Sequence, residues 1–256
     1  MTYNIYQPAP ILRSLIDMYW QVSGRLSEVE MITLLPDGGI NLFVNLGERI
    51  QSTCFDREIK HEGIFLVGPM MKTDVQIVRN EVMLYGVRFK PGAFFYFHKY
   101  DSLDQVANTF HDFPRHNFPD LKKTTEHFAT YFDQFYLDRL SPPKYSVLNC
   151  ISDIYQNIGS ISVSALAKKN FMTERQLERH FKQHVGLPPK KLAALERFRK
   201  AYDMLNTKVK RSIDEIAWEC GYYDHAHMTN DFKRFTGQPP TAFILSDFSK
   251  TIATGP

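Results

Sequence analysis

Two stretches of this chain carry polar side chains spaced as a protein would need them to read base edges in a duplex. In the first, Arg175, Gln176, Glu178, Arg179 and Lys182 surround Leu177 and Phe181. If the two apolar residues face a core at helical spacing, the polar ones point outward. Arg pairs bidentately with guanine, Glu accepts from cytosine, and Lys more often meets phosphate. In the second stretch His225, Ala226, His227 and Asn230 surround Met228, with Lys233 and Arg234 on either side of the next helical turn. Asn suits adenine, and the two cations suit phosphate. His225 and His227 are two residues apart, so on a helix they point to different sides and are not expected to share a metal.

The elements that would position these residues are written twice. FKQHVGLPP from Phe181 returns as FKRFTGQPP from Phe232, with Phe, Lys, Gly, Pro and Pro identical. At the same offset Asn170 matches Gly221, Thr173 matches Asp224 and Leu177 matches Met228. One residue earlier in step, Ser162 matches Ser212 and Ala167 matches Ala217. A repeat of this kind is one supersecondary unit used twice. In each copy Ser162 or Ser212 caps a first helix, with Glu215 completing a capping box in the second copy. Gly221 supplies a left-handed turn residue, with Asn170 in that place in the first copy. Thr173 with Gln176, or Asp224 alone, caps the second helix. Gly186 and Gly237, each followed by two prolines, stop it. A small Ala on the first helix and a capped second helix are the parts of a helix-turn-helix, at about 162–186 and 212–237. Between the copies, Lys191 to Leu205 reads as a linking helix with Leu192, Leu195, Phe198, Tyr202 and Leu205 on one side.

Residues from about 145 to 250 resemble the DNA-binding domain of the AraC/XylS transcription regulators. The most specific part is IDEIAWECGYYDHAHMTNDFKRFTGQPPTAF over the second unit. The resemblance implies a bacterial-type regulator, such as an activator, that binds double-stranded DNA in the major groove. By resemblance Arg175, Glu178 and Arg179 occupy base-contacting positions. It also allows RNA polymerase, a small-molecule effector and a second copy of the chain as partners.

Charge follows the same division. Residues 1–140 hold 14 Lys/Arg and 17 Asp/Glu, and residues 141–256 hold 17 and 11, so the basic excess lies with the repeat. No apolar run reaches the ~18 residues of a membrane span, and no secretory signal is visible at the start, so a cytoplasmic protein is expected. Cys54, Cys150 and Cys220 are far apart, without metal spacing.

The first half, 1–140, reads as β-rich. Met31 to Leu35 and Ile40 to Leu46 flank Pro36-Asp37-Gly38-Gly39, a hairpin signal. Ile64 to Val67, Val75 to Val78 and Met83 to Phe89 are further strands. Pro91 to Tyr100, Leu103 to Phe110 and Pro119 to Leu140 are expected to be helical, the last a candidate dimer interface, and Ser141-Pro142-Pro143 marks the boundary. The fold class is therefore α+β: an antiparallel barrel or sandwich with trailing helices, followed by an all-α domain of two helix-turn-helix units. The LLPDGGINLFVNLG stretch, Gly68-Pro69 with Thr73, and GVRFKPGAFF resemble the cupin-like sensory domain of one AraC-type subgroup. His61, His98, His111, His116 and His127 include no His-x-His pair, so no metal and no cofactor are expected. Phe94 to Phe97 with His98, and likewise Tyr19 and Trp20, read as core packing ahead of a ligand pocket.

Two other function classes compete. A DNA alkylation repair enzyme sharing this domain needs a reactive, zinc-bound cysteine cluster, which isolated Cys54 does not supply. An architectural DNA-binding protein has no use for the large aromatic β half. The expectation is a non-enzymatic regulator with no assigned ligand-binding residues.

Overall fold

A computed structural model describes residues 1–28, 30–52, 57–78, 81–121, 127–207, 211–245 and 251–252. Two sheets build the first half. The larger orders its strands β1 (Thr2–Tyr6), β2 (Ile16–Arg25), β9 (Glu81–Phe89), β4 (Ile40–Asn45), β7 (Ile64–Val67) and β10 (Phe110–Asp112), all antiparallel. The smaller orders β11 (Thr251–Ile252), β3 (Glu30–Leu34), β8 (Asp74–Val78), β5 (Ile50–Ser52) and β6 (Arg57–Ile59), with β11 parallel to β3. This is the sandwich form of the expected fold; among the described residues the sheets do not close into one barrel.

The larger sheet is buried on both faces. Ile40, Leu42, Val44, Tyr85, Val87 and Phe89 join one core with Phe128, Phe132 and Tyr136 of α1 (Phe128–Leu137). Phe43, Val82 and Leu84 point the other way, into a second core with Ile32, Ile50 and Val78 of the smaller sheet. Hence β4 is buried along nearly its whole length, although apolar Ile40, Leu42 and Val44 alternate with Asn41, Phe43 and Asn45 as in a half-buried strand.

Several expectations need correction. Pro36 to Gly39 is not a hairpin turn: β3 pairs with β8 and β4 with β9 and β7, so the chain switches sheets there. The corner is held because Asp37 accepts from Gly39 N through Oδ1 (2.6 Å) and from Met70 N through its carbonyl (2.8 Å). Pro91 to Tyr100 and Leu103 to Phe110 contain only short 3-10 turns, Phe94–Tyr96 and Leu103–Val106, and Phe110 lies in β10. Of Pro119 to Leu140, the described helix is Phe128–Leu137, and 122–126 lie outside the described residues. Its apolar stripe meets the chain's own rings, Phe128 against Tyr6 (4.9 Å) and Phe132 against Tyr19 (5.3 Å), so that face is already used. Phe94, Phe97 and His98 are core, as expected. Cys54 lies outside the described residues.

Apart from β11, the regular elements described in the second half are helices: α2 (Leu148–Gln156), α3 (Val163–Lys169), α4 (Glu174–Val185), α5 (Pro189–Leu205), α6 (Ile213–Glu219), α7 (His225–Thr236) and α8 (Pro240–Leu245). Leu192 and Ala193 of α5 belong to a core with α2, α3 and α4. Leu195, Phe198, Ala201 and Tyr202 belong to another with α6, α7 and α8. One helix therefore supplies a side to both repeat units, and at ~1.5 Å per residue its 17 residues span about 25 Å. Among the described residues no helix is long and apolar enough to cross a membrane.

Candidate nucleic-acid interface

The caps anticipated from sequence are all formed. Ser162 accepts from Ala165 N, and Thr173 and Gln176 close a capping box on α4. Ser212 and Glu215 close another on α6, and Asp224 accepts from His227 N on α7. Glu215 is held below the ordinary glutamate range by its bonds to Ser212. Each cap satisfies an orphan N–H and fixes where its helix starts. Both α4 and α7 run 12 residues and stop at a left-handed glycine, Gly186 (φ 82°) and Gly237 (φ 77°).

One turn differs from the expectation. Gly221 is left-handed (φ 73°), but Asn170 is not (φ −100°); Phe171 takes that conformation (φ 55°). Met172 N reaches Ala167 O just as Tyr222 N reaches Ala217 O, both at 2.9 Å, so Phe171 corresponds to Gly221. The change of step between the copies therefore falls after that residue, where the second turn carries Tyr223 as an extra residue. Asn170 has another task. Its amide donates to Asp153 (2.9 Å), which also takes Lys169 Nζ (2.6 Å). Those hydrogen bonds, Lys169 first, hold the Asp153 carboxyl below its ordinary range and fasten α3 to α2.

Leu177 and Phe181 of α4, and Met228 and Phe232 of α7, are fully buried. Arg175, Gln176, Glu178, Arg179 and Lys182 are exposed on α4, and His225, Ala226, His227, Asn230, Lys233 and Arg234 are exposed on α7. The structure thus gathers the candidate residues on two outward faces. The faces differ in commitment. His225 Nδ1 lies 2.9 Å from Asp214 of α6, and Arg234 reaches Asp231 at 2.9 Å and stacks over Phe235. Burial pushes the Asp231 carboxyl up, and Arg234 opposes that.

Sequence reasoning missed what lies beside α4. Asp101, Ser102 and Asp104 of the first half share an open cleft of about 580 Å³ with Arg175, Glu178, Arg179 and Lys182. Gln183 donates to the Asp101 carbonyl (3.3 Å), and His184 of α4 packs on Phe95 (4.6 Å). Burial, with His180 adding to it, lowers the His184 pKa. The seam continues to the second unit, where Thr73 N donates to Phe235 O (2.9 Å). No local pattern announces such contacts, because their partners are separated by 80 residues or more. Exposed Trp218 and Tyr223 on the second unit were also not singled out. Burial pushes the Cys150 and Cys220 thiols up to about 11, so neither is an activated thiolate.

Comparison with known proteins bears on this arrangement. A family described as a helix-turn-helix domain matches residues 166–245, and a domain family of unknown function (DUF6597) matches residues 4–111. Residues of the chain are 33% identical over 81 positions to the HTH-type transcriptional activator RhaS of Escherichia fergusonii. Residues 166–245 therefore belong to a helix-turn-helix domain family. The RhaS match covers 32% of this chain and only 29% of RhaS. ToxT from Vibrio cholerae has the same overall fold, at 11% identity and a TM-score of 0.51, covering 88% of this chain and 97% of ToxT. ToxT has also been solved bound to (E)-4-(8-methylnaphthalen-1-yl)but-3-enoic acid, again at a TM-score of 0.51.

Proposed function

We propose that this chain is a sequence-specific DNA-binding transcription regulator of AraC type whose first domain, residues 1–140, senses a signal and whose second, 145–250, binds the duplex. The single observation that carries this reading is the duplicated unit: two capped 12-residue helices with exposed polar faces, both packed on one linking helix. A recognition helix reads bases from its outward face in the major groove. Arg175, Gln176, Glu178 and Arg179 are assigned to bases and Lys182 to phosphate. On α7, His225, Ala226, His227 and Asn230 face bases, and Lys233 and Arg234 face phosphate. The AraC/XylS resemblance implies a regulator, and catalysis is not part of the proposal. A cytoplasmic location follows from a DNA target. The carboxylic acid seen on ToxT supports small-molecule control on this fold. RNA polymerase and a second copy of the chain are further partners in this reading, and a dimer would use a face other than the buried stripe of α1.

Selection of bound sequences from a random duplex library tests the proposal. The two outward faces differ residue by residue, so the enriched site should be directional rather than palindromic. Absence of any enriched sequence at low salt refutes it.

A further inference from the structure

Each turn between the paired helices of a unit carries one bare aromatic ring. Phe171 is 98% exposed and Tyr223 is 90% exposed. A single exposed ring on a surface needs no explanation, but these two recur at one place in a duplicated frame. Phe171 stands two residues ahead of Thr173, the cap of α4, and Tyr223 one residue ahead of Asp224, the cap of α7.

The backbone marks both positions. Phe171 holds a left-handed conformation (φ 55°), which a residue with a Cβ adopts at a cost that glycine avoids. The corresponding residue of the second unit is Gly221 (φ 73°). No side chain fits there, because a Cβ would lie 2.2 Å from Ser160 Oγ. The second turn instead takes an extra residue, Tyr223, and that residue carries the ring. Two different local solutions thus place a bare ring ahead of each 12-residue helix. Folding gains little from a ring in a strained and solvent-exposed place, and such an outlier points to a contact outside the chain.

What lies there follows from how such helices dock. A recognition helix enters the major groove by its N-terminal residues. The residues just before its cap therefore stand at the lip of the groove, where a sugar–phosphate strand passes. A phosphate calls for a cation, whereas the face of a deoxyribose is apolar and matches a ring. Both units pack on one linking helix about 25 Å long, of the order of one duplex turn, ~34 Å. A duplex offers the same lip once per turn. A protein partner would have to repeat its own surface at that spacing.

We propose that Phe171 and Tyr223 are further duplex contacts, each laying its ring against a deoxyribose at the lip of the groove that the following helix enters. The assignment rests on reading α4 and α7 as recognition helices. Backbone contacts position a protein without reading sequence, and an uncharged ring releases no counterion. The rings therefore add affinity for every sequence and take no share in the salt dependence.

The test uses the full chain and fluorescence anisotropy on two labelled duplexes, the selected site and an unrelated sequence at low salt. Phe171→Gly and Tyr223→Ala should each raise Kd roughly tenfold on both duplexes, as burying about half a ring implies. The slope of log Kd against log salt should not change, unlike that of Lys182→Ala. Tyr223→Phe, which keeps the ring, should bind as the parent does. The urea midpoint of Phe171→Gly should equal or exceed the parent's, because glycine relieves the left-handed backbone. Parent-like Kd values for either ring-deleting variant overturn the proposal and leave a protein partner as the occupant. A changed salt slope, a Tyr223→Phe as weak as Tyr223→Ala, or a lower midpoint for Phe171→Gly overturns it too, by assigning the effect to charge, to the hydroxyl or to packing. A parent chain that binds neither duplex sinks the regulator reading as well, whereas a parent and ring variants that bind equally tightly sink only this assignment.

Discussion

Arg179→Ala should relax sequence preference more than Asn230→Ala. Arg175 and Arg179 stand one helical turn apart on the exposed side of α4, whose first turn is fixed by the Thr173–Gln176 box. No ion pair is recorded for either among the described residues, so neither must leave a partner to reach a base. On α7, by contrast, His225 is bonded to Asp214 and Arg234 to Asp231. A bidentate Arg–guanine contact discriminates by ~1–3 kcal/mol, or about 5- to 150-fold in affinity between the right and wrong base. Asn230 has the chemistry for adenine but stands on the less cationic face, and its loss should fall at the low end of that range. The assay is repeat selection with each variant, followed by fluorescence anisotropy on the selected site and its single-base variants. Arg179→Ala should lose discrimination at the positions facing the first unit while other positions keep theirs. Lys182→Ala, the phosphate control, should weaken all sequences alike and reduce the salt slope by about one. Equal or reversed effects of Arg179→Ala and Asn230→Ala would refute the assignment of the stronger reader to the first unit.

Three more predictions concern stability and access. Phe198 is fully buried, with ring centroids 4.8 Å from Phe232 and 4.9 Å from Phe235, so Phe198→Ala should cost about 3–5 kcal/mol in urea unfolding, and a loss below ~1 kcal/mol would contradict the shared-core picture. Burial, with the Arg139 charge adding to it, pulls His98 from 6.5 down to about 3, so the fold favours its neutral form. Its stability contribution is complete above about pH 6.5 and falls as pH drops, by about 2 kcal/mol at pH 5; His98→Phe should remove that slope, and an unaltered slope would count against it. Asp101→Asn combined with Asp104→Asn should tighten duplex binding several-fold at low salt, with the gain fading as the Debye length shortens to ~8 Å at 0.15 M, whereas weaker binding would show that the acidic segment does not oppose DNA.

The helical half was legible because its signals are local. Ser162, Thr173, Ser212 and Asp224 cap helices a few residues away, and Gly186 and Gly237 end them, so type and spacing suffice. The same locality misled at Asn170: a residue that tolerates the left-handed region was preferred to Phe171, but Asn170 was needed by Asp153 on another helix. The β half was legible in kind but not in pairing. Pro-Asp-Gly-Gly carries hairpin chemistry, yet β3 and β4 go to different sheets, and β4 lies in the interior of the larger one, buried on both sides between β9 and β7. The paired strands β1 and β2 were overlooked. Trp20 packs on the second core, as read, and also lines a cavity, which local sequence could not show because Phe43, Leu84 and Phe110 on its other walls come from strands far along the chain.

The two helix-stopping glycines carry a practical consequence. Gly186 and Gly237 have nearly the same backbone conformation, but a Cβ at Gly186 would meet the Leu103 carbonyl carbon and oxygen at 3.0 and 2.6 Å, while at Gly237 nothing lies within 4 Å. Alanine at either site carries the same left-handed penalty. Only at 186 does it also push against the other domain. Subtracting one cost from the other cancels the backbone contribution and leaves the cost of forcing the halves apart at Leu103, so the duplicated helix pair furnishes the molecule with its own internal control.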